Sequence, residues 1–455
     1  MERMSDLARR LDAPLHGDDV RFERVTTDSR ALAPGDLFVA LKGERFDGHQ
    51  FVEHARAAGA VGALVSGVQA THFPQVIVQD TLAGLQEYAI SWRGDFHLPV
   101  VAVTGSNGKT TVKQMLSAIF ARRGPVLATV GNLNNHIGVP LTLLSLREEH
   151  KTAVVEMGAN HPGEIARLAE LARPDVGVVN NAGDAHLEGF GSREGVARGK
   201  GELFEGLGDH GVSVINADDD YADLWRGMAA GDTITFGLSE DADVRAVHPR
   251  AEPPEAPVGM DFELRTPEGR QGVRLALPGL HNVRNALAAA ACAVAIGMDA
   301  RDVATGLLNV KPVSGRLTWR KALKGARLLD DTYNANPTSL HAGLELLALV
   351  QARRWLVLGD MGELGRGAEQ LHHAAGESAR ALGIERLYAV GPLSREAARG
   401  FGSGAVHFAG VEELVAEVRE RLAPDVALLV KGSRSSRMER VVAGLTGEES
   451  VGGAH

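Results

Sequence analysis

One stretch, VVAVTGSNGKTT at residues 100–111, constrains the fold of this chain more than any other. An apolar run typical of a buried strand ends at Gly105, and a glycine-rich turn leads into a helical pattern that extends to Phe120. Glycines let successive backbone N–H groups point at an anion, and the positive end of the following helix strengthens that attraction. The glycines are closer together than in the common G-x-x-x-x-G-K-[ST] pattern, and an ordinary strand-to-helix turn is the alternative. The order of strand, glycines, Lys-Thr and helix favours a phosphate-binding loop.

We call residues 104–111 the phosphate loop and expect all of it to contact a nucleotide. Lys109 can reach the outer phosphates, and Thr110 offers a hydroxyl to magnesium. The complete set of expected nucleotide contacts in this loop is Thr104, Gly105, Ser106, Asn107, Gly108, Lys109, Thr110 and Thr111.

The length of 455 residues is too great for a single core and suggests about three domains. The fold class expected is α/β, with a small N-terminal α/β domain (1–98), a central doubly wound P-loop ATPase domain (99–312) and a C-terminal Rossmann-like domain (313–455). The tail GEESVGGAH, residues 447–455, is expected to be disordered.

Charge and composition exclude several classes of partner. A net charge of -10 and the absence of a long Lys/Arg block argue against nucleic acid. The single cysteine, Cys292, lies in an alanine-rich helical pattern and is expected to be a buried thiol in a reducing compartment. The charged N-terminus does not resemble a signal peptide, and the apolar run 286–296 is too short for a bilayer. We therefore expect a cytoplasmic protein without membrane insertion.

The first domain combines predicted strands at 37–41, 62–66 and 75–79 with an unusually polar segment at 26–51. Side chains suited to a phosphate or sugar ligand cluster in that segment: Asp28, Ser29, Arg30, Lys42, Arg45, Asp47 and His49. Composition alone leaves open whether these residues bind a ligand or are solvated loop residues.

The central domain alternates helices with predicted strands at 100–105, 152–158, 175–180, 212–216 and 233–237. Ligands of doubly wound sheets bind beyond the carboxyl ends of the strands. Glu156 follows an apolar strand and is placed to meet magnesium, with a helix-capping or salt-bridged role as the alternative. His186 follows the next strand on a glycine-rich loop, where a structural or solvated histidine is the alternative.

A predicted hairpin then precedes an alanine-rich helix that opens with His281, Asn282 and Asn285. The two asparagine amides lie near one face at helical spacing and could hydrogen-bond a purine. Capping of the helix N-terminus by Asn282 is the competing interpretation.

The third domain has predicted strands at 327–334, 355–360, 386–391, 406–410 and 427–433, and it has no G-x-G-x-x-G motif. Its strands end in polar groups: Asp331, Tyr333, Asn334 and Asn336, then Asp360 and Glu363, and finally Lys431, Ser433 and Arg434. Charges at strand ends that face a neighbouring domain suggest a cleft closed by domain movement, with a hinge at 311–315.

Several motifs, taken together, resemble the Mur ligase family along almost the whole chain. They are TGSNGKTT, NNHIGVPLTLL, VVEMGANHPGEI, AHLEGFGSREGVARGKGEL, GLHNVRNALAAA, SGRL, DDTYNANP, LGDMGELG and LVKGSRSSRME. Within the family, DDTYNANP and LGDMGELG resemble the member that adds the terminal dipeptide of the peptidoglycan precursor.

The resemblance implies an ATP-dependent amide ligase. ATP would phosphorylate the terminal carboxylate of a UDP-N-acetylmuramoyl tripeptide, and the amine of D-alanyl-D-alanine would attack the acyl phosphate, with ADP and phosphate as products. Mg²⁺ is the implied cofactor, and a monomer is expected. Lysine- or diaminopimelate-adding ligases and folylpolyglutamate synthases should carry a different third-domain signature, and a non-enzymatic switch could lack Glu156, His186 and Lys200.

The resemblance also assigns residues. Thr110 and Glu156 would hold a first metal ion, Lys109 would neutralise phosphates, and His186 would help to hold a second ion. The remaining assignments are Asn134 and Asn135 near the reaction centre; His281, Asn282 and Asn285 at adenine; Arg316, Asp331 and Tyr333 at the nucleotide; and Ser29, Arg30, Lys42, Phe46, Asp47 and His49 at UDP.

Two further sites are expected at basic residues. Lys200 matches the position at which several Mur ligases carry a carbamylated lysine, and phosphate binding or pairing with Glu194 or Glu202 is the alternative.

Arg434, with Lys431 and Ser433, is a candidate binding site for the carboxylate of the incoming dipeptide, because a guanidinium matches a carboxylate bidentately and a helix is predicted to start there. Solvated charges at a helix N-terminus are the alternative.

Overall fold

The computed structural model describes residues 2–43, 46–253 and 257–448. Within them the strands form three sheets of five, nine and six strands, each flanked by helices, which confirms the prediction of three α/β domains. The boundaries at 98/99 and 312/313 stay predictions. Arg45 and residues 449–455 of the tail lie outside the described residues.

The first sheet has the strand order β1-β5-β4-β3-β2, and all pairs are parallel except β1 with β5. Its strands are β1 Leu15–His16, β2 Arg24–Thr26, β3 Asp36–Val39, β4 Gly62–Val65 and β5 Gln75–Ile77, and its helices are α1 Met4–Arg10, α2 Val52–Ala57 and α3 Thr81–Gly94.

The central sheet has the order β14-β13-β12-β11-β10-β9-β6-β8-β7, parallel from β7 through β12 and antiparallel in the last two pairs. Its strands are β6 Val100–Thr104, β7 Val126–Ala128, β8 Thr152–Glu156, β9 Val176–Val179, β10 Val212–Asn216, β11 Thr233–Gly237, β12 Val244–Glu252, β13 Gly259–Thr266 and β14 Gly269–Leu275. The helices are α4 Lys109–Phe120, α5 Gly138–Leu143, α6 Glu164–Ala172, α7 Leu187–Phe190, α8 Arg193–Glu205, α9 Ala222–Met228, α10 Leu280–Ala295 and α11 Ala300–Leu308.

Strand β6 places the phosphate loop at the topological switch point of this sheet. The next two strands in the chain, β7 and β8, lie on one side of β6, and β9 pairs with its other side. All five residues of β6 are buried, as expected of a parallel strand covered by helices on both faces. Connections that leave a central strand in opposite directions open a crevice at its carboxyl end.

The third sheet has the order β15-β16-β20-β17-β18-β19, and only the β15–β16 pair is antiparallel. Its strands are β15 Thr318–Lys321, β16 Arg327–Asp331, β17 Arg353–Gly359, β18 Arg386–Val390, β19 Ala405–Phe408 and β20 Val426–Lys431, and its helices are α12 Pro337–Ala348, α13 Ala368–Ala381, α14 Ser394–Phe401, α15 Val411–Arg421 and α16 Glu439–Thr446.

One apolar core joins the first and central domains. It includes Leu85 and Tyr88 of α3 together with Val139 of α5 and Leu168 of α6, so α3 connects the two sheets. Side-chain hydrogen bonds cross the same boundary, since Trp92 Nε1 donates to the Leu146 carbonyl at 3.3 Å. The third domain has separate cores. Among the described residues, none of the helices combines the length and the apolar character needed to cross a bilayer.

Candidate active site

A cavity of about 1000 Å³ lies between the central and third domains. Its walls contain seventeen residues expected from the sequence to form the site: Ser106, Asn107, Gly108, Lys109, Thr110, Thr111, Asn134, Asn135, Glu156, His186, His281, Asn282, Asn285, Arg316, Asp331, Tyr333 and Lys431. The structure therefore brings together residues that the chain separates by more than 300 positions.

The phosphate loop has the backbone that its glycines predict. Gly105 and Gly108 have φ angles of 140° and 83°, and a Cβ at Gly108 would lie 2.3 Å from Asn285 Oδ1. Lys109 Nζ donates to the Gly105 carbonyl at 2.7 Å, across the mouth of the loop. Burial lowers the pKa of Lys109, and Glu156 opposes that shift. The remaining expected contact, Thr104, lies behind the loop, where its hydroxyl donates to the Met157 carbonyl.

Buried amides join the loop to α10. Asn180 Nδ2 donates to both the Asn107 carbonyl and Asn285 Oδ1, at 2.9 and 2.8 Å. Asn285 in turn donates to Asn282 Oδ1, and Asn282 donates to the Pro278 carbonyl. The capping interpretation of Asn282 is wrong, because the N-cap of α10 is Gly279 and has no side-chain hydrogen bond. The two amides predicted to bind a purine are thus linked to the loop through Asn180.

His281 lies beside these amides with a buried Nε2 that has no hydrogen-bond partner among the described residues. Burial, with Lys431 and Arg284 nearby, lowers its pKa to about 4. The ring is therefore neutral near pH 7, which suits an uncharged base better than a phosphate.

Glu156 is buried at the end of β8 and is salt-bridged, as the alternative interpretation held. Lys113 Nζ lies 3.4 Å from Glu156 Oε2, and Asn134 Nδ2 donates to Oε1 at 2.9 Å. Lys113 also donates to the Thr129 carbonyl at 2.8 Å. The Oε2 atom is buried and accepts no hydrogen bond from the described residues.

Thr110 contacts the start of the third domain. Arg316 Nη2 donates to Thr110 Oγ1 at 3.0 Å, and the Arg316 guanidinium stacks over the Tyr333 ring with its carbon 4.1 Å from the ring centroid. The Arg316 guanidinium is thus held beside Thr110 Oγ1, the hydroxyl that was expected to face magnesium and phosphate.

His186 also reaches the third domain. Its Nδ1 lies 2.5 Å from Glu363 Oε2, and this contact lowers the pKa of the Glu363 carboxyl. Both residues have left-handed backbones, with φ angles of 57° and 60°, and the Glu188 N–H donates to the Glu363 carbonyl at 3.2 Å. The sequence had placed His186 and Glu363 at strand ends of different domains without pairing them.

Lys200 is completely buried in α8, just behind the cavity wall. Its Nζ donates to the Ala159 carbonyl at 2.9 Å and lies 5.1 Å from the centroid of the Phe190 ring. Burial lowers its pKa to about 7. Neither Glu194 nor Glu202 pairs with it: Glu194 contacts Arg198, and Glu202 accepts from backbone N–H groups of α6 and its preceding turn.

Asp331 and Lys431 form a buried ion pair at neighbouring strand ends in the third domain. Lys431 also donates to the Asn334 carbonyl at 3.0 Å, so its charge is already compensated. Asn336 crosses the cavity, and its Nδ2 donates to Asn107 Oδ1 at 2.9 Å.

Three expected residues lie at or beyond the edge of this arrangement. Asn135 is exposed and its Oδ1 accepts from the backbone of Ile137 and Gly138, at the start of α5. Ser433 and Arg434 do not line the cavity. The prediction that a helix starts at Arg434 is wrong: Arg434–Ser436 is a single 3₁₀ turn, Arg437 is left-handed, and the α-helix begins at Glu439.

The first-domain residues lie in the segments that follow β2 and β3 and do not line the cavity. His49 Nδ1 lies 2.5 Å from Asp47 Oδ1, and its Nε2 accepts from the Ser66 N–H at 2.9 Å. Lys42 bridges to Asp47 in the backbone, and Phe46 is 60% exposed. In the segment after β2, Arg30 pairs with Asp28 at 2.8 Å, and Ser29 lies between them in the chain.

Three partners of the predicted residues were not expected from the sequence: Asn180 and Asn336, which line the cavity, and Lys113, which is buried and does not line it. A signal existed for Lys113, since a lysine one turn after Lys109 sits among the buried positions of α4. Within the described ranges, no group of three or more His, Cys, Asp and Glu side chains forms a metal site by itself.

Comparison with known proteins gives matches along most of the chain. Three family models match: "Mur ligase family, catalytic domain" at residues 21–89, "Mur ligase middle domain" at 103–293, and "Mur ligase, glutamate ligase domain" at 315–434. The UDP-N-acetylmuramoyl-tripeptide--D-alanyl-D-alanine ligase of Escherichia coli (strain K12) is 44% identical over 448 residues, which are 97% of this chain and 98% of that protein.

Two solved structures are similar over almost their full length. Crystal structure I of MurF from Acinetobacter baumannii has a TM-score of 0.91 and 36% identity, covering 98% of this chain and 99% of that one. The MurF ligase of Thermotoga maritima in complex with ADP has a TM-score of 0.83 and 29% identity, covering 94% and 97%.

Proposed function

This chain belongs to the Mur ligase family, and from that premise we propose that it joins D-alanyl-D-alanine to UDP-N-acetylmuramoyl-tripeptide with ATP as the energy source. The observation that carries the proposal is the similarity, over nearly the full length, to ligases of that name and structure. The geometry supports it, because the phosphate loop faces strand ends of the third domain across one cavity.

The reaction needs an activated carboxylate, because a carboxylate ion is a poor electrophile. An oxygen of the tripeptide's terminal carboxylate attacks the γ-phosphorus of ATP, and ADP leaves. The dipeptide amine then attacks the acyl carbon, phosphate leaves, and the amine loses a proton. Lys109 and Arg316 stand at the phosphate loop and would offset the negative charges that this chemistry brings together.

Nucleotide binding is assigned to the loop and its neighbours. The backbone of the phosphate loop would cradle the phosphates, and neutral His281 with Asn282 and Asn285 would surround the base. Arg316 stacked on Tyr333 would bring the third domain against the nucleotide. The ADP complex of the Thermotoga maritima relative supports a nucleotide site in this family.

The residues present fit magnesium. Glu156 Oε2 is a buried carboxylate oxygen that accepts no hydrogen bond from the described residues, and Thr110 offers a hydroxyl at the phosphate loop. Both are hard oxygen ligands of the kind that magnesium prefers. His186 is the proposed ligand of a second ion through Nε2, while its Nδ1 faces Glu363. Bound Mg²⁺ would neutralise phosphate charge and polarise the reacting oxygens.

We propose that Lys200 is carbamylated by carbon dioxide. The neutral amine attacks CO₂ and loses a proton, and burial lowers the Lys200 pKa to about 7, which makes the neutral form abundant at physiological pH. The product would bring carboxylate oxygens toward the second ion. Lys200→Ala should nearly abolish ligation, and formate or acetate at high concentration should restore part of it. Undiminished activity of Lys200→Ala would contradict this role.

The other substrates are assigned to the remaining expected residues. Ser29, Arg30, Lys42, Phe46, Asp47 and His49 would bind the UDP portion at the first domain, and Asn134 and Asn135 would lie near the tripeptide carboxylate. Arg434 with Ser433 would bind the dipeptide carboxylate, while Lys431 would act through its buried pair with Asp331.

Because the reaction uses ATP and a nucleotide-linked precursor, we expect it to take place in the cytoplasm. We expect the enzyme to act as a monomer.

Phosphate release from ATP by the purified protein tests the function. Release should require both UDP-N-acetylmuramoyl-tripeptide and D-alanyl-D-alanine, and mass spectrometry should find the pentapeptide product, ADP and phosphate in equal amounts. A matched assay replaces D-alanyl-D-alanine with free lysine or diaminopimelate. It also replaces the UDP-linked tripeptide with the UDP-linked dipeptide that precedes it. Turnover only in that second assay would assign the chain to another branch of the family.

A further inference from the structure

His372 is a fully buried histidine that the proposed reaction does not use. It lies in α13, and its ring nitrogens contact backbone groups on opposite sides. Nδ1 lies 2.7 Å from the Ala368 carbonyl, and the Met361 N–H donates to Nε2 at 2.9 Å. A carbonyl only accepts and an N–H only donates, so Nδ1 carries the proton and Nε2 is a bare acceptor.

The Met361 N–H belongs to the short loop after β17, which we call the 360–364 loop. Asp360 fixes its first position, because its carboxylate accepts from the Ser394 backbone and hydroxyl and its carbonyl accepts from the Ser433 N–H at 2.8 Å. Met361 and Leu364 are buried in the core of the third domain. Between these two anchors, Glu363 projects toward the central domain.

Glu363 makes the loop's contact with the candidate active site. Its Oε2 lies 2.5 Å from His186 Nδ1, and its backbone is left-handed, a conformation that a glutamate adopts only when its surroundings hold it. A small rotation of the loop at Met361 would move the carboxylate away from His186. The hydrogen bond to His372 Nε2 opposes that rotation, because the Met361 N–H would otherwise be a buried donor without a partner.

We propose that His372 is a positioning residue of the ligase: through Met361 it holds the 360–364 loop so that Glu363 orients His186 at the active site. This inference rests on the proposed function, since it assigns a purpose to the loop in that reaction. A satisfied core histidine without influence on turnover is the competing interpretation.

Two variants of His372 with similar shape each keep one of its two hydrogen bonds and remove the other. In His372→Gln the side-chain amide oxygen reaches the place of Nε2 and retains an acceptor for Met361. In His372→Asn the amide nitrogen takes the place of Nδ1, retains the donor to Ala368, and leaves Met361 without a partner. We expect kcat of the Gln variant within about threefold of the native enzyme and kcat of the Asn variant lowered at least tenfold, with the KM for ATP unchanged in both.

A merely structural role predicts a different result: equal loss of melting temperature and equal kcat in the two variants. That result would overturn the proposal. Glu363→Ala provides a second test that does not depend on the core, because the Glu363 side chain is 55% exposed. Native kcat in Glu363→Ala would also overturn it.

Backbone hydrogen exchange gives a readout independent of activity. Exchange of a peptide covering residues 360–364 should be faster in His372→Asn than in His372→Gln and the native protein. If the native protein fails to ligate, the proposed function fails, while this exchange pattern still decides whether His372 holds the loop. Equal exchange in the two variants would show that it does not.

Discussion

Lys113 Nζ lies 3.4 Å from Glu156 Oε2, and both side chains are almost completely buried beside the phosphate loop. Asn134 Nδ2 donates a hydrogen bond to the other oxygen of this carboxylate, Oε1. The carboxylate expected to face a metal ion is thus part of a buried charge pair, and substitutions at Glu156 should act on folding as well as on turnover.

We expect Glu156→Ala to lower the melting temperature and to abolish ligation. The substitution leaves the Lys113 charge buried without compensation, which destabilises a protein by about 3–5 kcal/mol. The double variant Glu156→Ala/Lys113→Met should recover most of the stability but not the turnover. Thermal melting and phosphate release measure the two effects.

Lys109→Ala is the matched control. Among the described residues its Nζ donates to loop carbonyls alone, so turnover should fall by roughly 10²–10³-fold while the melting temperature stays close to native. A native melting temperature in Glu156→Ala would show that the pair with Lys113 contributes nothing to stability.

Asn336→Asp should weaken the attachment of the third domain to the phosphate loop. Aspartate still caps α12, but it cannot donate to Asn107 Oδ1 and it places a negative charge against that oxygen. We expect a several-fold higher KM for ATP and a more expanded scattering profile with an ATP analogue and UDP-tripeptide bound. The hinge is expected at residues 311–315.

Ser339→Ala serves as the control for Asn336. It removes one half of the capping box of α12 and keeps the Asn336 donor, so the KM for ATP should be native. Equal effects of the two substitutions would attribute the result to the helix cap rather than to the contact between domains.

Because of Lys200, we expect the free energy of unfolding to depend on pH above neutrality. Burial lowers its pKa to about 7, whereas an unfolded lysine has a pKa near 10.4, so between these values the unfolded chain binds more protons than the folded one. The free energy of unfolding should therefore rise with pH across this window, relative to Lys200→Met, by up to about 1.4 kcal/mol for each pH unit. Denaturation in CO₂-free buffer measures the difference, and parallel pH profiles would contradict it.

Arg434→Ala should chiefly raise the KM for D-alanyl-D-alanine, by roughly tenfold, if its guanidinium binds the dipeptide carboxylate. Its present partner is Glu439, at 3.6 Å with both side chains about half exposed, which leaves it free to change partners. Arg434→Lys should recover only part of the affinity, because it keeps the charge without the bidentate fork. Arg440→Ala, at another exposed arginine six residues further along the chain, is the control, and an effect of Arg434→Ala confined to the KM for ATP would contradict the assignment.

Much of the architecture followed from the sequence. The thirteen strands predicted with ranges begin and end within three residues of the observed ones, and the predicted hairpin corresponds to β13 and β14, because apolar runs bounded by glycine and polar residues identify buried strands. The strands β1, β2, β7, β12 and β15 were not predicted, since they are short or polar and their pairing depends on neighbours distant in the chain.

The sequence by itself determined two features: the phosphate loop, and the positions of Glu156, His186 and Asp331 at or after strand ends. Both depend on backbone geometry and strand direction, which are local properties. Only the tertiary structure decided the partners: Lys113 for Glu156, Glu363 for His186, and Asn336 for Asn107. Those contacts join residues up to 229 positions apart, and the strand order and the approach of the third domain bring them together. The sequence therefore identifies the chemistry that each strand end carries, whereas the fold sets the charge and the hydrogen bonds in which that chemistry takes place.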